Sequence, residues 1–284
     1  MTENPAKTAR TFLFVPGDRP ERFAKAAASG ADLVILDLED AVPADQKPEA
    51  REHARGWLAG GNRAVVRING DGTPWHDADV AMIAGLPGFV VAVMVPKAER
   101  RERLVDLSVT LPPGTGIIPL VETAAGILNA PAVCAAPGVL RPAFGSVDLS
   151  AQLGVDHQSR TALQHARSAL VLAATAAGCA APADGVTTGL ADEESLRADL
   201  AHALALGFTG KLCVHPRQVA PANECLTPSD AELEWARQVV AAGRSGAATV
   251  HDGQMIDRPV MLRAEAILAR QRAVQAVTGS ADAK

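Results

Sequence analysis

The 284-residue sequence contains no tyrosine, and its aromatic content is 3%, with six phenylalanines and three tryptophans. Because 48% of the residues are apolar, the core must be filled by small aliphatic side chains, which favours helix-rich α/β layers over a β-sandwich. There is no basic run and no cationic patch interleaved with aromatics, and the net charge is −5, so a nucleic-acid partner is not expected. No stretch approaches the ~18 uninterrupted apolar residues of a membrane helix. The polar start MTENPAKTAR also lacks the apolar centre of a signal peptide, so the expectation is a soluble, cytoplasmic protein without a membrane partner. Cys134, Cys179, Cys213 and Cys225 show no C-x-x-C spacing and lie among apolar residues, as buried inert thiols would. Neither a G-x-S-x-G elbow nor a phosphate-binding P-loop is present.

What the chain does contain is a repeated alternation of short apolar runs and amphipathic stretches. The runs TFLFV (11–15), LVIL (33–36), AVVRI (64–68), FVVAVMV (89–95), GIIPLV (116–121) and KLCV (211–214), with weaker segments at 141–146 and 183–186, read as eight strands. Helical patterns follow at 20–28 with Asp18 placed to cap, then at 49–59, 77–84, 99–108, 124–136, 159–177 and 193–206. This order predicts a (β/α)8 TIM barrel over residues 1–225, and two further helices, 228–242 and 259–276, form a C-terminal helical extension at 226–284. A doubly wound open sheet is the alternative, weakened by the absence of a G-x-G-x-x-G turn after the first strand.

In such a barrel the site is built at the C-terminal ends of the strands, and six of the eight deliver an ionisable group there. The second strand, in LVILDLEDAV, ends in Asp37, Glu39 and Asp40, carboxylates that are costly to bury without cations. Arg67, inside AVVRIN, needs carboxylates in turn. A purely structural network explains it as well as a grip on a substrate carboxylate or enolate oxygen by the planar fork. Glu122 and Asp148 each follow a strand with no other acid and suit a hard cation such as Mg²⁺ with water and substrate completing the shell. Helix capping is the competing reading for Glu122. Lys97 is a candidate Schiff-base lysine, but acids around it would keep it protonated, which makes it a charge partner instead. His215 reads as a strand-end histidine bonded to a backbone carbonyl.

The segments FVPGDRPERF, LDLEDAV, VRING, VPKAE, PLVETAAGILN, FGSVDL, GFTGKLCVHPRQV and DGQMIDRP together resemble the HpcH/HpaI aldolase and citrate lyase β-subunit superfamily, in its branch of CoA-ester lyases of the citramalyl-CoA and malyl-CoA type. The resemblance implies Mg²⁺, with Mn²⁺ as a substitute, on Glu122 and Asp148, and Arg67 against the α-keto acid or its enolate. It implies Phe14, Arg19 and Lys25 at the nucleotide of a CoA thioester substrate, the ring on the adenine and the two cations on the phosphates, with Lys97 also among the substrate-binding residues. Met255, Ile256 and Asp257 match a lid motif whose aspartate is an acid/base on a neighbouring subunit of a trimer or dimer of trimers. Glu39 and Asp40 then assist catalysis by orienting Arg67, Lys97 and metal-bound water. The implied reaction is reversible retro-aldol cleavage of a 3-hydroxy-carboxyacyl-CoA to an acyl-CoA and pyruvate or glyoxylate. A citrate lyase β chain, a malyl-CoA thioesterase and a non-catalytic CoA-binding homologue are the alternatives. CVHPRQ replaces the asparagine-proline pattern of citrate lyase β subunits, and the lid itself favours a self-sufficient lyase.

Overall fold

Strands covered on both faces read as unbroken apolar runs rather than as alternation, and the central sheet forms from such runs. The computed structural model describes residues 3–190, 192–243, 249–251 and 254–281. The strands are β1 (Thr11–Pro16), β2 (Leu33–Asp37), β3 (Ala64–Arg67), β4 (Val90–Val95), β5 (Gly116–Val121), β6 (Ala143–Phe144), β7 (Ala183–Asp184) and β8 (Gly210–Cys213). They pair in sequence order, all parallel, and β8 returns to β1 through Phe12 opposite Leu212, closing the expected eight-stranded barrel.

The intervening helices are α1 (Phe23–Ala27), α2 (Lys47–Ala59), α3 (His76–Ala84), α4 (Arg101–Thr110), α5 (Ala124–Leu128), α6 (Ala130–Cys134), α7 (Ser146–Leu153), α8 (Arg160–Ala176), α9 (Glu193–Leu206) and α10 (Val219–Leu226). Three departures from the sequence reading have local causes. The helix expected at 124–136 is two short helices that meet at Asn129, with Pro131 in the first turn of the second. β6 has only two residues because Gly145 leads straight into α7, a helix the apolar pattern did not disclose. Asp18 caps nothing: Pro20–Arg22 form a 3₁₀ turn with Arg19 at the cap position, and one Asp18 carboxylate oxygen is buried without a hydrogen-bond partner.

Inside the barrel, Phe12, Ile35, Val65, Met94, Leu120, Ala143, Ala183 and Leu212 form one apolar cluster. Cys134 and Cys213 are buried, and burial pushes both thiols up to about 12, while Cys179 and Cys225 are only half-buried. None of the four is in a disulfide.

The chain divides into two compact units, Met1–Asn223 and Glu224–Lys284. The second contains α11 (Asp230–Gly243), an antiparallel pair β9 (Thr249–His251) and β10 (Gln254–Ile256), and α12 (Arg258–Ala281). Its own core is Leu233, Ala236, Val239, Ile256, Ala264 and Ile267. Among the described residues no helix is long and apolar enough to cross a membrane.

Candidate active site

Side chains alternate along a strand with period two, so an inward position predicts the next one two residues on. From Phe12, Ile35, Val65 and Leu120 inside the barrel, the next inward positions are Phe14, Asp37, Arg67 and Glu122, at the C-terminal mouth. The register places Asp37 beside Arg67 across β2 and β3. Arg67 donates from Nε to Asp37 Oδ1 at 2.7 Å and from Nη2 to Oδ2 at 2.5 Å. Its Nη1 lies 3.1 Å from Glu39 and 3.7 Å from Asp40, and its guanidinium stacks 4.8 Å from the Phe14 ring centroid. Burial alone would lower its pKa, but Asp37, Glu39 and Asp40 together raise it and hold it protonated.

LVILDLEDAV therefore does supply the counter-charges for Arg67. The fork itself is engaged by Asp37, so a substrate oxygen would share the Nη edge with Glu39. Phe14 points into the mouth beneath Arg67, whereas Arg19 and Lys25 are exposed on the β1–α1 segment.

Glu122 is 4% exposed, and capping is not its role, because the Thr123 hydroxyl accepts the Gly126 N–H that caps α5. Burial pushes its carboxyl up to about 7, with the charge of Asp148 acting in the same sense and the N–H of Lys97, 2.8 Å away, opposing it. Gly145 makes room for this side chain: a Cβ there would stand 2.2 Å from Glu122 Cβ and 2.7 Å from Oε2. Asp148 enters from the first turn of α7, with its side chain 38% exposed. The Lys97 ammonium lies 2.9 Å from Glu39, 3.6 Å from Asp148 and 3.9 Å from Glu122. Burial opposes its charge, but the hydrogen bond and charge of Glu39 prevail and raise its pKa, which disfavours a nucleophilic amine.

Two carboxylates facing one opening, one in a cradle shaped by a glycine, are hard oxygen donors that fit a divalent cation. Among the described residues no group of three or more His, Cys, Asp or Glu converges on a metal position, so water and substrate oxygens would complete the shell.

Several supporting residues escaped the sequence reading. Lys47, buried on α2, donates to the carbonyls of Leu38 and Glu39 at 3.0 and 2.8 Å and fixes the turn that carries Glu39. Asp79, fully buried on α3, accepts from the backbone and side chain of Asn69 at 2.9 and 2.7 Å and from Arg51 at 2.6 Å, anchoring the loop after β3. No sequence signal pointed to either. Among the described residues the His215 side chain bonds no carbonyl; its Nδ1 accepts the Arg217 N–H at 3.2 Å, and Gln218 ties this turn to Thr187 O at 2.8 Å. A cavity of about 600 Å³ opens beside the cluster, lined by Glu39, Asp40, Lys97, Asn69, Trp75 and Arg103. In the second unit, Asp257 Oδ1 accepts the Val260 N–H at 3.2 Å and so caps α12.

Known proteins are similar to this chain along most of its length. A "Citrate lyase subunit beta-like protein" of Mycobacterium tuberculosis is 41% identical over 266 residues, covering 91% of this chain and 94% of that protein. A "(3S)-malyl-CoA thioesterase" of Cereibacter sphaeroides is 35% identical, covering 95% and 97%. The crystal structure of the protein CitE from Mycobacterium tuberculosis, in complex with magnesium, acetoacetate and coenzyme A, superposes with a TM-score of 0.79 at 39% identity, covering 93% and 99%. Residues 10–216 match the family HpcH/HpaI aldolase/citrate lyase, to which this chain belongs.

Proposed function

We propose that the protein is a Mg²⁺-dependent CoA-ester lyase that reversibly cleaves a 3-hydroxy-carboxyacyl-CoA of the citramalyl or malyl type. The products are an acyl-CoA and an α-keto acid, pyruvate or glyoxylate. The observation that carries this reading is the pairing of buried Glu122 with Asp148 at the barrel mouth, beside the Arg67 hub. A magnesium ion there would supply a Lewis acid for the carbonyl that forms and a template for the hydroxyl and carboxylate of the substrate. Glu122 and Asp148 would hold it, and the Nη edge of Arg67 would receive the developing charge of the keto acid or enolate. In cleavage the 3-hydroxyl loses its proton, the C2–C3 bond breaks, and the acyl-CoA enolate takes a proton at C2. Asp257 is the proposed donor of that proton, reaching the site of a neighbouring subunit from the extension at 226–284, in a trimer or dimer of trimers. Arg19 and Lys25 suit the CoA phosphates. Phe14 was expected with them at the CoA nucleotide; its stacking 4.8 Å from the Arg67 guanidinium instead supports a role near the acyl end of the thioester.

A thioesterase is the second reading, favoured by the similarity to the Cereibacter sphaeroides protein. The test is incubation with a panel of acyl-CoA thioesters and Mg²⁺, reading both free CoA and the pairs acetyl-CoA or propionyl-CoA with glyoxylate, pyruvate or oxaloacetate. Acyl-CoA with keto acid is the expected result. Free CoA with intact hydroxy acid would favour the thioesterase, and no turnover of any thioester would leave neither.

A further inference from the structure

Among the described residues Lys97 is the one non-glycine residue with positive φ, at 48°. That left-handed conformation is uncommon for a side-chain-bearing residue, and here it lets a single residue meet both acids of the proposed metal pair with different groups. The backbone N–H of Lys97 donates to Glu122 Oε1 at 2.8 Å. Its ammonium turns back across the same opening, 3.6 Å from Asp148 Oδ2 and 3.9 Å from Glu122 Oε1, while its shortest contact is 2.9 Å to Glu39 Oε1. Arg67 cannot take over this duty, because its guanidinium is committed to Asp37, Glu39 and Asp40.

We propose that Lys97 is the resident counter-cation of the Glu122–Asp148 site, occupying it electrostatically when no divalent ion is bound and yielding when one binds. The backbone contact would stay on Glu122 in both states and keep that carboxylate aimed. The ammonium, half exposed at 48% on a flexible stem, would withdraw onto Glu39, its nearest partner already. Lys97 is thus a positioning residue through its N–H and a competitor of the metal through its charge. The consequence is a preformed pair of acids with deliberately moderate metal affinity. This inference rests on the assignment of Glu122 and Asp148 as metal ligands.

The test is calorimetric titration of Mg²⁺ into the full-length protein and its Lys97→Asn, Lys97→Met and Lys97→Arg variants, with thermal melts at zero and saturating Mg²⁺. Asparagine tolerates the left-handed conformation and keeps the backbone donor, so it separates charge from fold. Two charges within 4 Å interact appreciably even under water-like screening, and the effect doubles for a divalent ion, so both neutral variants should bind Mg²⁺ about tenfold tighter or more. They should also melt lower than wild type without metal and gain more from its addition, while Lys97→Arg stays close to wild type. A residue that merely braces the fold would instead weaken the metal when removed. Wild-type binding with equal or weaker affinity in both neutral variants overturns this inference and leaves the metal assignment standing. Silence in every protein removes the metal assignment and this inference with it.

Discussion

Replacing Arg67 with methionine isolates what the charged hub contributes to the fold and what it contributes to chemistry. In the native site the Asp37 side chain is 1% exposed and that of Glu39 is 10% exposed, and both face the guanidinium. After Arg67→Met, Asp37 retains, among the described residues, the N–H groups of Glu39 and Ala41, at 2.9 and 3.3 Å, as hydrogen-bond donors. Removing one partner of a buried ion pair costs about 3–5 kcal/mol because the other charge is left desolvated. At about 2–4 °C per kcal/mol for a unit of this size, the melting temperature should fall by roughly 6–20 °C. Burial of the remaining acid, rather than loss of attraction, is the cause, so Arg67→Met/Asp37→Leu should regain at least half of that loss, since apolar replacements of similar volume for a whole pair are often neutral. Cleavage of the acyl-CoA should stay abolished in the double variant, because the Nη edge that would receive the charge of the keto acid or enolate is not restored. Circular dichroism melts and a keto-acid release assay read the two effects separately. A single variant melting within about 2 °C of wild type would refute the energetic argument, and activity restored in the double variant would refute the role of Arg67 in catalysis.

Asp257→Asn keeps an oxygen for the Val260 N–H and should leave the melting curve of the extension intact, whereas Asp257→Ala also loses the cap, worth about 1 kcal/mol; both should lose roughly 10²- to 10⁴-fold in turnover if the carboxyl moves a proton. Gly145→Ala changes no ligand, yet the methyl group would collide with Glu122, so Mg²⁺ affinity measured by calorimetry should fall steeply while the barrel remains folded. EDTA should abolish turnover and borohydride with substrate should trap nothing on Lys97, because a protonated amine forms no imine; a mass increment on Lys97 would contradict this. Asp184 is fully buried, and although burial raises its pKa, Lys211 and Arg167 prevail and lower it below the usual carboxylate value. Its stabilising effect is therefore complete above the unfolded-state value near 3.8 and is lost as pH falls through the lower folded value. Melts taken between pH 5 and pH 2 should show an acid-sensitive component that disappears in Asp184→Asn.

The barrel was legible because each long strand is an unbroken apolar run with a turn or charged residue at its end, and because a buried strand has no other way to read. β6 and β7 were harder: two paired residues give no periodicity, and α7 begins directly after Gly145. The pairing of Arg67 with the acids of LVILDLEDAV followed from the cost of burying charge. Its assignment to Asp37 by the fork depended on strand register, which composition does not encode. Lys47, Asp79 and Gly145 stayed hidden for the same reason. Each acts on a partner that meets it only once the strand, turn and helix, or two neighbouring strands, have folded together, and a lysine or aspartate on an amphipathic helix, or a glycine after a strand, looks ordinary by itself.

The most direct measurement is anomalous diffraction from crystals grown with Mn²⁺ in place of Mg²⁺. One peak is expected within bonding distance of the carboxylates of Glu122 and Asp148, with Asp37, Glu39 and Asp40 still on Arg67 and Lys97. A peak on Glu39 or Asp40, or metal bound in solution with no peak at Glu122 and Asp148, would contradict the metal assignment.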